Sequence, residues 1–290
     1  AALAAGIIWG FVPLIFQAVA RAGPGEWELL SQRIIWGAAA AAVFVGFAHQ
    51  WDQVVRAFRD LRTLAWLTLS AVLIAINWVV FIWAVNTGQV IESSLGYYIT
   101  PLVSMAGGAL VFRERLGRIG LAAIALAAVG VVIQGVALGK LPLIALTLAA
   151  SFGSYGVVRK RVPVDAQSGL LIECLVLAPL ALAFIVWQNQ AGGAFFFKSP
   201  AAAAWLVGSG VITAVPLALF AWGARRMPLS AMGFLQFLSP TISFFIGVAQ
   251  GEPFTAMRAF SFVFIWAGAA VFVFGAVQAA RRARAAIDGG

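Results

Sequence analysis

Long apolar runs alternate with short polar breaks along the whole chain. A helix needs about 20 apolar residues to cross the hydrocarbon core of a bilayer. By that measure there are ten spans, at 3–22, 31–49, 64–86, 90–112, 118–138, 141–159, 168–188, 203–224, 229–250 and 257–280. The breaks, such as RAGPGEWE, NTGQ, RERLGR and RKRVPVDAQSG, hold Gly, Pro or charge. The pattern predicts an all-α integral membrane protein with ten transmembrane helices. One break is longer. HQWDQVVRAFRDLR puts Trp51, Val55, Phe58 and Leu61 on one helical face and Arg56, Arg59 and Asp60 elsewhere, which predicts a short helix lying in the inner interface. AGGAFFFKSPAA, at 191–202, is expected to be a flexible outer loop.

The polar positions inside the spans repeat. Residues 81–101, FIWAVNTGQVIESSLGYYITP, align without a gap on residues 220–240, FAWGARRMPLSAMGFLQFLSP, at an offset of 139 residues. Phe81 matches Phe220, Tyr97 falls opposite Gln236, Thr100 opposite Ser239 and Pro101 opposite Pro240. Ser104 and Gly108 match Ser243 and Gly247. The chain therefore divides into two five-span halves, 1–139 and 140–280, followed by a basic cytoplasmic tail at 281–290. An odd number of spans inserts the second half upside down relative to the first, and such inverted repeats hold substrate near the midplane between them. Tyr97, Thr100, Pro101, Ser104 and Gly108 share one side of a helix, as do Gln236, Ser239, Pro240, Ser243 and Gly247. Two readings stand: polar stripes with mid-span prolines line a wet cavity, or small and hydroxyl residues bring helices into close contact.

Composition supports a lipid environment. The chain of 290 residues is 63% hydrophobic and 10% charged, with mean hydropathy +0.99, whereas soluble domains are nearer a quarter charged. The net charge of +9 is spread between apolar blocks rather than gathered in a nucleic-acid-binding patch. With the N-terminus inside, fourteen Arg and Lys fall in inner segments and four in outer ones, so both termini are expected in the cytoplasm. Cys174 is the one cysteine, and no intrachain disulfide forms. No charged region precedes a soluble mature domain, so no cleaved signal peptide is expected.

Further lining candidates are Trp9 and Gln17 on the first span, and Ser154 and Tyr155 on the sixth. Trp78, Phe81 and Phe220 offer aromatic surface, although tryptophan also populates interfacial belts. Asn77 is either a lining amide or one half of an interhelical hydrogen bond. Arg33 and Glu92 both fall just inside the outer boundary and are expected either to pair or to serve as an outer gate or substrate anchor. Glu173, one turn into the seventh span, is expected to be neutralised by Arg159 or Arg161. One His and one Cys leave no metal cluster. GVALGKL at 135–141 resembles a phosphate loop only loosely, with short spacing and Leu141 at the hydroxyl position. No enzyme activity, metal or other cofactor is expected.

SQRIIWG (31–37), NWVVFIWAVN (77–86), ESSLGYYITPLV (92–103), RERL (113–116), SFGSYGVVRKRVPVD (151–165), GFLQFLSPT (233–241) and GEPF (251–254) together resemble the EamA-type drug/metabolite transporter (DMT) superfamily, in its RarD-like and YddG-like branches. That resemblance covers essentially the whole chain. It implies two inverted EamA repeats, a bacterial inner-membrane location and export of small metabolites. RarD-like members are named for chloramphenicol sensitivity, and YddG-like members export amino acids. The expected protein is an alternating-access exporter, monomeric, with an amino acid as first substrate and a drug-like compound as second. A passive pore and a non-transporting scaffold are the readings from other classes.

Overall fold

The structure, a computed structural model, describes residues 1–113, 117–224 and 235–288. All regular elements among them are helices: α1 (Ala2–Arg21), α2 (Glu26–Phe47), α3 (Trp51–Arg59), α4 (Leu61–Asn86), α5 (Val90–Phe112), α6 (Arg118–Leu138), α7 (Leu143–Lys160), α8 (Ala166–Gln190), α9 (Pro200–Ala224), α10 (Leu238–Ala249) and α11 (Ala256–Asp288). Eight of them, α1, α2, α4, α5, α6, α8, α9 and α11, are long and apolar enough to cross a membrane. The 18-residue α7 carries Ser151, Ser154, Arg159 and Lys160 and is more polar. The shorter apolar α10 covers only part of the expected span 229–250, whose first residues lie outside the described ones.

Several boundaries have visible physical causes. The exposed carboxylate of Asp60 starts α4 by accepting from Arg62 N at 3.0 Å and Thr63 Oγ1 at 2.5 Å. Two other helix starts borrow a carboxylate from a distant element. Glu252 accepts from Val90 N at 2.6 Å and Ile91 N at 2.8 Å at the head of α5. Glu92 accepts from Ile144 N at 3.1 Å at the head of α7. Each satisfies amides that a helix leaves free at its first turn, in the charge sense the helix dipole favours. The amphipathic α3 forms where the sequence predicts it, with Val54 and Ala57 buried.

Three details refine the expectations. Pro101 sits within an unbroken α5, but Pro240 is the third residue of α10, where a proline forfeits no helical hydrogen bond. The two are therefore not equivalent kinks. Helix α11 runs on past the apolar span, which ends at Gln278, to Asp288. The 191–199 connection packs back on the protein: Phe196 N donates to Glu28 Oε1 at 2.9 Å and the Phe196 ring stacks on Trp36 at 6.1 Å.

The main helix contacts run between the two halves of the chain. Helix α1 packs on α9 and α10, while α7 packs on α4 and α5. Helix α2 packs on α8 and α9, and α8 packs on α2 and α4. The pairs α6–α11 and α5–α10 complete the set. Exchanging α1, α2, α4, α5 and α6 for α7, α8, α9, α10 and α11 maps these pairs onto themselves. Single contacts repeat in the same way. Ser104 Oγ donates to Gly153 O at 3.3 Å, and Ser243 Oγ donates to Gly10 O at 3.1 Å. A Cβ at Gly153 would stand 2.7 Å from Val103, and one at Gly10 would stand 2.6 Å from Ile242. The serine and β-branched partners are each 139 residues apart in the chain. The hydroxyl stripe thus serves close helix contact at Ser104 and Ser243, which is the packing reading of the sequence.

Candidate functional site

Between the halves lies a connected series of aromatic rings with a buried acidic or basic side chain near each end. It starts at Arg33, the eighth residue of α2, which is 8% exposed. The guanidinium carbon lies 4.4 Å from the Trp78 ring centroid on α4 and 5.1 Å from that of Phe16 on α1. Its Nε donates to Thr213 Oγ1 on α9 at 2.8 Å, and Thr213 in turn donates to Ser209 O at 3.0 Å. Four helices from both halves therefore hold one cation. The Nη1 atom is buried without a hydrogen-bond partner, and no carboxylate of the described residues comes within 4.0 Å of the group. Insertion of an arginine costs about 2.5–3.5 kcal/mol at a bilayer centre and less towards the boundary, where Arg33 lies. Each cation–π contact returns about 0.5–2 kcal/mol, and the Thr213 bond adds to that.

From Arg33 the rings continue inward. Phe16 meets Phe81 at 5.9 Å, Phe81 meets Tyr97 at 5.6 Å, Tyr97 meets Phe152 at 5.9 Å, and Phe152 stacks on Tyr155 at 5.7 Å. All but the last are edge-on or perpendicular, the arrangement in which ring edges meet ring faces. Asn77 fixes Tyr97. Its Oδ1 accepts from the Tyr97 hydroxyl at 2.9 Å, while its Nδ2 donates to Leu148 O and Ser151 Oγ, both at 3.2 Å. The amide is 2% exposed and ties α4, α5 and α7 together, so it is an interhelical bond rather than a free lining group. Such bonds contribute about 0.6–2 kcal/mol.

The series ends at Glu173, fully buried and the eighth residue of α8. Ser70 Oγ donates to its Oε1 at 2.6 Å, Tyr155 donates to its Oε2 at 3.2 Å, and Arg159 Nε lies 3.7 Å from Oε1. Of the two neutralising partners the sequence offers, Arg159 is the one in place. Arg33 and Glu173 are each the eighth residue of their helices, α2 and α8, which pack on each other. Glu173 is satisfied by protein, whereas Arg33 is not.

The remaining candidates scatter. Arg33 and Glu92 do not pair, because Glu92 faces the first turn of α7 and Arg33 faces Thr213 and two rings. Thr100 donates within its own helix to Gly96 O at 3.0 Å. Trp9 and Phe220 are half-buried and meet each other at 5.7 Å. Gln17 forms a reciprocal amide pair with Gln250, at 3.0 and 2.7 Å, between α1 and the end of α10. Pro101 and Ser239 are half-buried, Pro240 is buried, and Ser154 and Gln236 are exposed. Sequence reasoning missed Tyr98, whose hydroxyl shares a hydrogen bond with Thr241 at 2.6 Å beside the stacked Phe237 ring. Phe152 was legible next to Tyr155, but its contact with Tyr97 needs the α5–α7 packing. Two clefts lie away from the ring series, one of about 100 Å³ beside Glu26 and Trp83 and one of about 420 Å³ between α3 and Pro163.

The chain matches the model of the EamA-like transporter family twice, over residues 1–135 and 140–274. It is 38% identical to the Protein RarD of Escherichia coli (strain K12) over 283 residues, 97% of this chain and 95% of that protein. It is 39% identical to the uncharacterized transporter YojE of Bacillus subtilis (strain 168) over 278 residues, 94% of this chain and 92% of that one. The chloramphenicol-sensitive protein RarD of Pseudomonas aeruginosa is 28% identical over 244 residues, 82% of this chain and 81% of the relative. One solved crystal structure superposes with a TM-score of 0.58 at 19% identity, over 95% of this chain and 98% of the other, a likeness of fold alone.

Proposed function

Because the chain belongs to the EamA-like transporter family, a family of membrane transporters rather than enzymes, we propose that it exports small metabolites, amino acids first among them, by alternating access. Ten helices form two oppositely inserted repeats, 1–139 and 140–280, which rock against each other around a midplane site. Both termini lie in the cytoplasm of a bacterial cell and the protein works as a monomer in the inner membrane. The observation that supports this best is the repeated contact, Ser104 with Gly153 and Ser243 with Gly10, made across the halves in equivalent places. Packing that is conserved under exchange of halves gives two arrangements of similar energy, one open to each side.

In this reading Trp78, Phe81 and Tyr97 form one wall, and Trp9 with Phe220 forms another. Tyr155 stands at the inner end. Asn77, Thr100 and Pro101 shape α5 and its neighbours, while Gln236, Ser239, Pro240 and Ser154 belong to the opposing half of the path. Gln17 and Gln250 tie its outer end.

The test is uptake into proteoliposomes of a panel of amino acids and chloramphenicol, with and without a pH gradient. Saturable uptake with counterflow of at least one amino acid supports the reading, and Tyr97→Ala lowers it severalfold. Unsaturable conductance points to a pore. No flux of any panel member with normally folded protein overturns export.

A further inference from the structure

Resting on the transporter reading above, we infer that Arg33 is the receptor for a carboxylate on the substrate, so that the carried molecules are small monocarboxylates with an apolar or aromatic body. The argument begins with an unbalanced charge. Arg33 is more than nine-tenths buried, and its charge meets no anion among the described residues. Its Nε is taken by Thr213, which fixes the plane of the guanidinium through a side chain itself anchored to Ser209 O. The Nη side of the fork remains. Nη1 has no protein acceptor, and a guanidinium held by Nε offers the Nη pair to a planar, two-oxygen acceptor.

The contrast with Glu173 sharpens this. Glu173, at the eighth residue of the packed helix α8, is a buried acidic group met by Ser70, Tyr155 and Arg159. A buried ion is tolerated when it is paired and hydrogen-bonded, and the fold supplies that at Glu173. At Arg33 it supplies aromatic faces and one hydroxyl, which orient a cation without neutralising it. The missing partner is thus a ligand group with one negative charge. A phosphate dianion would leave net charge among Trp78, Phe16 and Phe81, whereas a carboxylate leaves none. The same rings set the body of the ligand: a carboxylate on Arg33 has apolar surface on either side of it.

The experiment uses the intact purified protein in detergent and compares matched pairs of probes, phenylacetate with phenylacetamide and N-acetyl-L-phenylalanine with N-acetyl-L-phenylalaninamide. Binding is read as tryptophan fluorescence change, since Trp78 touches the guanidinium, and as a thermal shift. We expect saturable binding of each acid at least tenfold tighter than its amide. Arg33→Gln removes that preference, and Arg33→Lys, which keeps the charge but not the fork, weakens acid binding severalfold. Both variants are checked for monodispersity, and Glu92→Gln serves as a control that keeps the preference. Equal binding of acid and amide, no saturable acid binding, or an unchanged preference in folded Arg33→Gln overturns the inference. Parallel flux in proteoliposomes separates the two readings: acid binding that depends on Arg33 without flux of any probe supports the anchor and overturns transport, whereas chloramphenicol flux without acid preference supports transport and overturns the anchor.

Discussion

Asn77 has all three of its amide contacts inside the protein, one from Tyr97 on α5 and two to Leu148 O and Ser151 Oγ on α7. Replacing it with Ala strands the Tyr97 hydroxyl and the Ser151 contact. Thermal unfolding in detergent should report a loss of about 1–2 kcal/mol. Tyr97→Phe removes only the donor to Asn77, for about 0.5–1.5 kcal/mol, and leaves the ring contacts with Phe81 and Phe152. At this scale the sequence was informative about which residues are costly in lipid, since Asn77, Arg33 and Glu173 are all polar groups in apolar runs. It was less informative about partners. Arg33 and Glu92 share a depth but not a face, and the rotation of α2 and α5 about their axes comes from packing that no local pattern encodes.

At the scale of elements, two glycines decide how closely helices approach. Gly10→Ala places a methyl against Ile242, and Gly153→Ala places one against Val103, at distances no relaxed side chain tolerates. Each should destabilise the protein by about 1–3 kcal/mol, measured by thermal unfolding, and Ile242→Ala should recover part of the loss in Gly10→Ala but not in Gly153→Ala. The start of α4 gives a pH-dependent test. The hydrogen bonds from Thr63 and then Arg62 hold the Asp60 carboxyl below its ordinary value. A carboxylate with a depressed folded-state value binds fewer protons folded than unfolded, so its cap is present above the unfolded value of about 3.9 and is lost as pH falls through the folded one. Hydrogen exchange at residues 62–64 should be faster in Asp60→Ala than in the parent at neutral pH, and the difference should vanish in acid. The hydrophobic period gave most elements, including the amphipathic α3. It did not place the turn at Phe237, three residues before Pro240, that separates the helical residues 235–236 from α10.

For the whole molecule, the double match to one family model and the exchange of contacts between halves point the same way. The gapless 139-residue offset around Pro101 and Pro240 made that duplication readable without coordinates. Which face of each half turns inward was not readable, since the same small residues serve close packing and cavity walls. The proposed orientation has its own check: in a Cys174→Ala background, a cysteine at Lys140 should react with an impermeant thiol reagent in intact cells, and one at Arg56 only after the cells are opened.

Relative movement of the two halves is the claim on which transport depends. Gln17 on α1 and Gln250 after α10 join them at one end through paired amides. With both replaced by cysteine in a Cys174→Ala background, a short, reducible bifunctional thiol reagent will span them. Counterflow of a panel substrate in proteoliposomes should stop on cross-linking and return on reduction. Full counterflow through completely cross-linked protein would contradict the account.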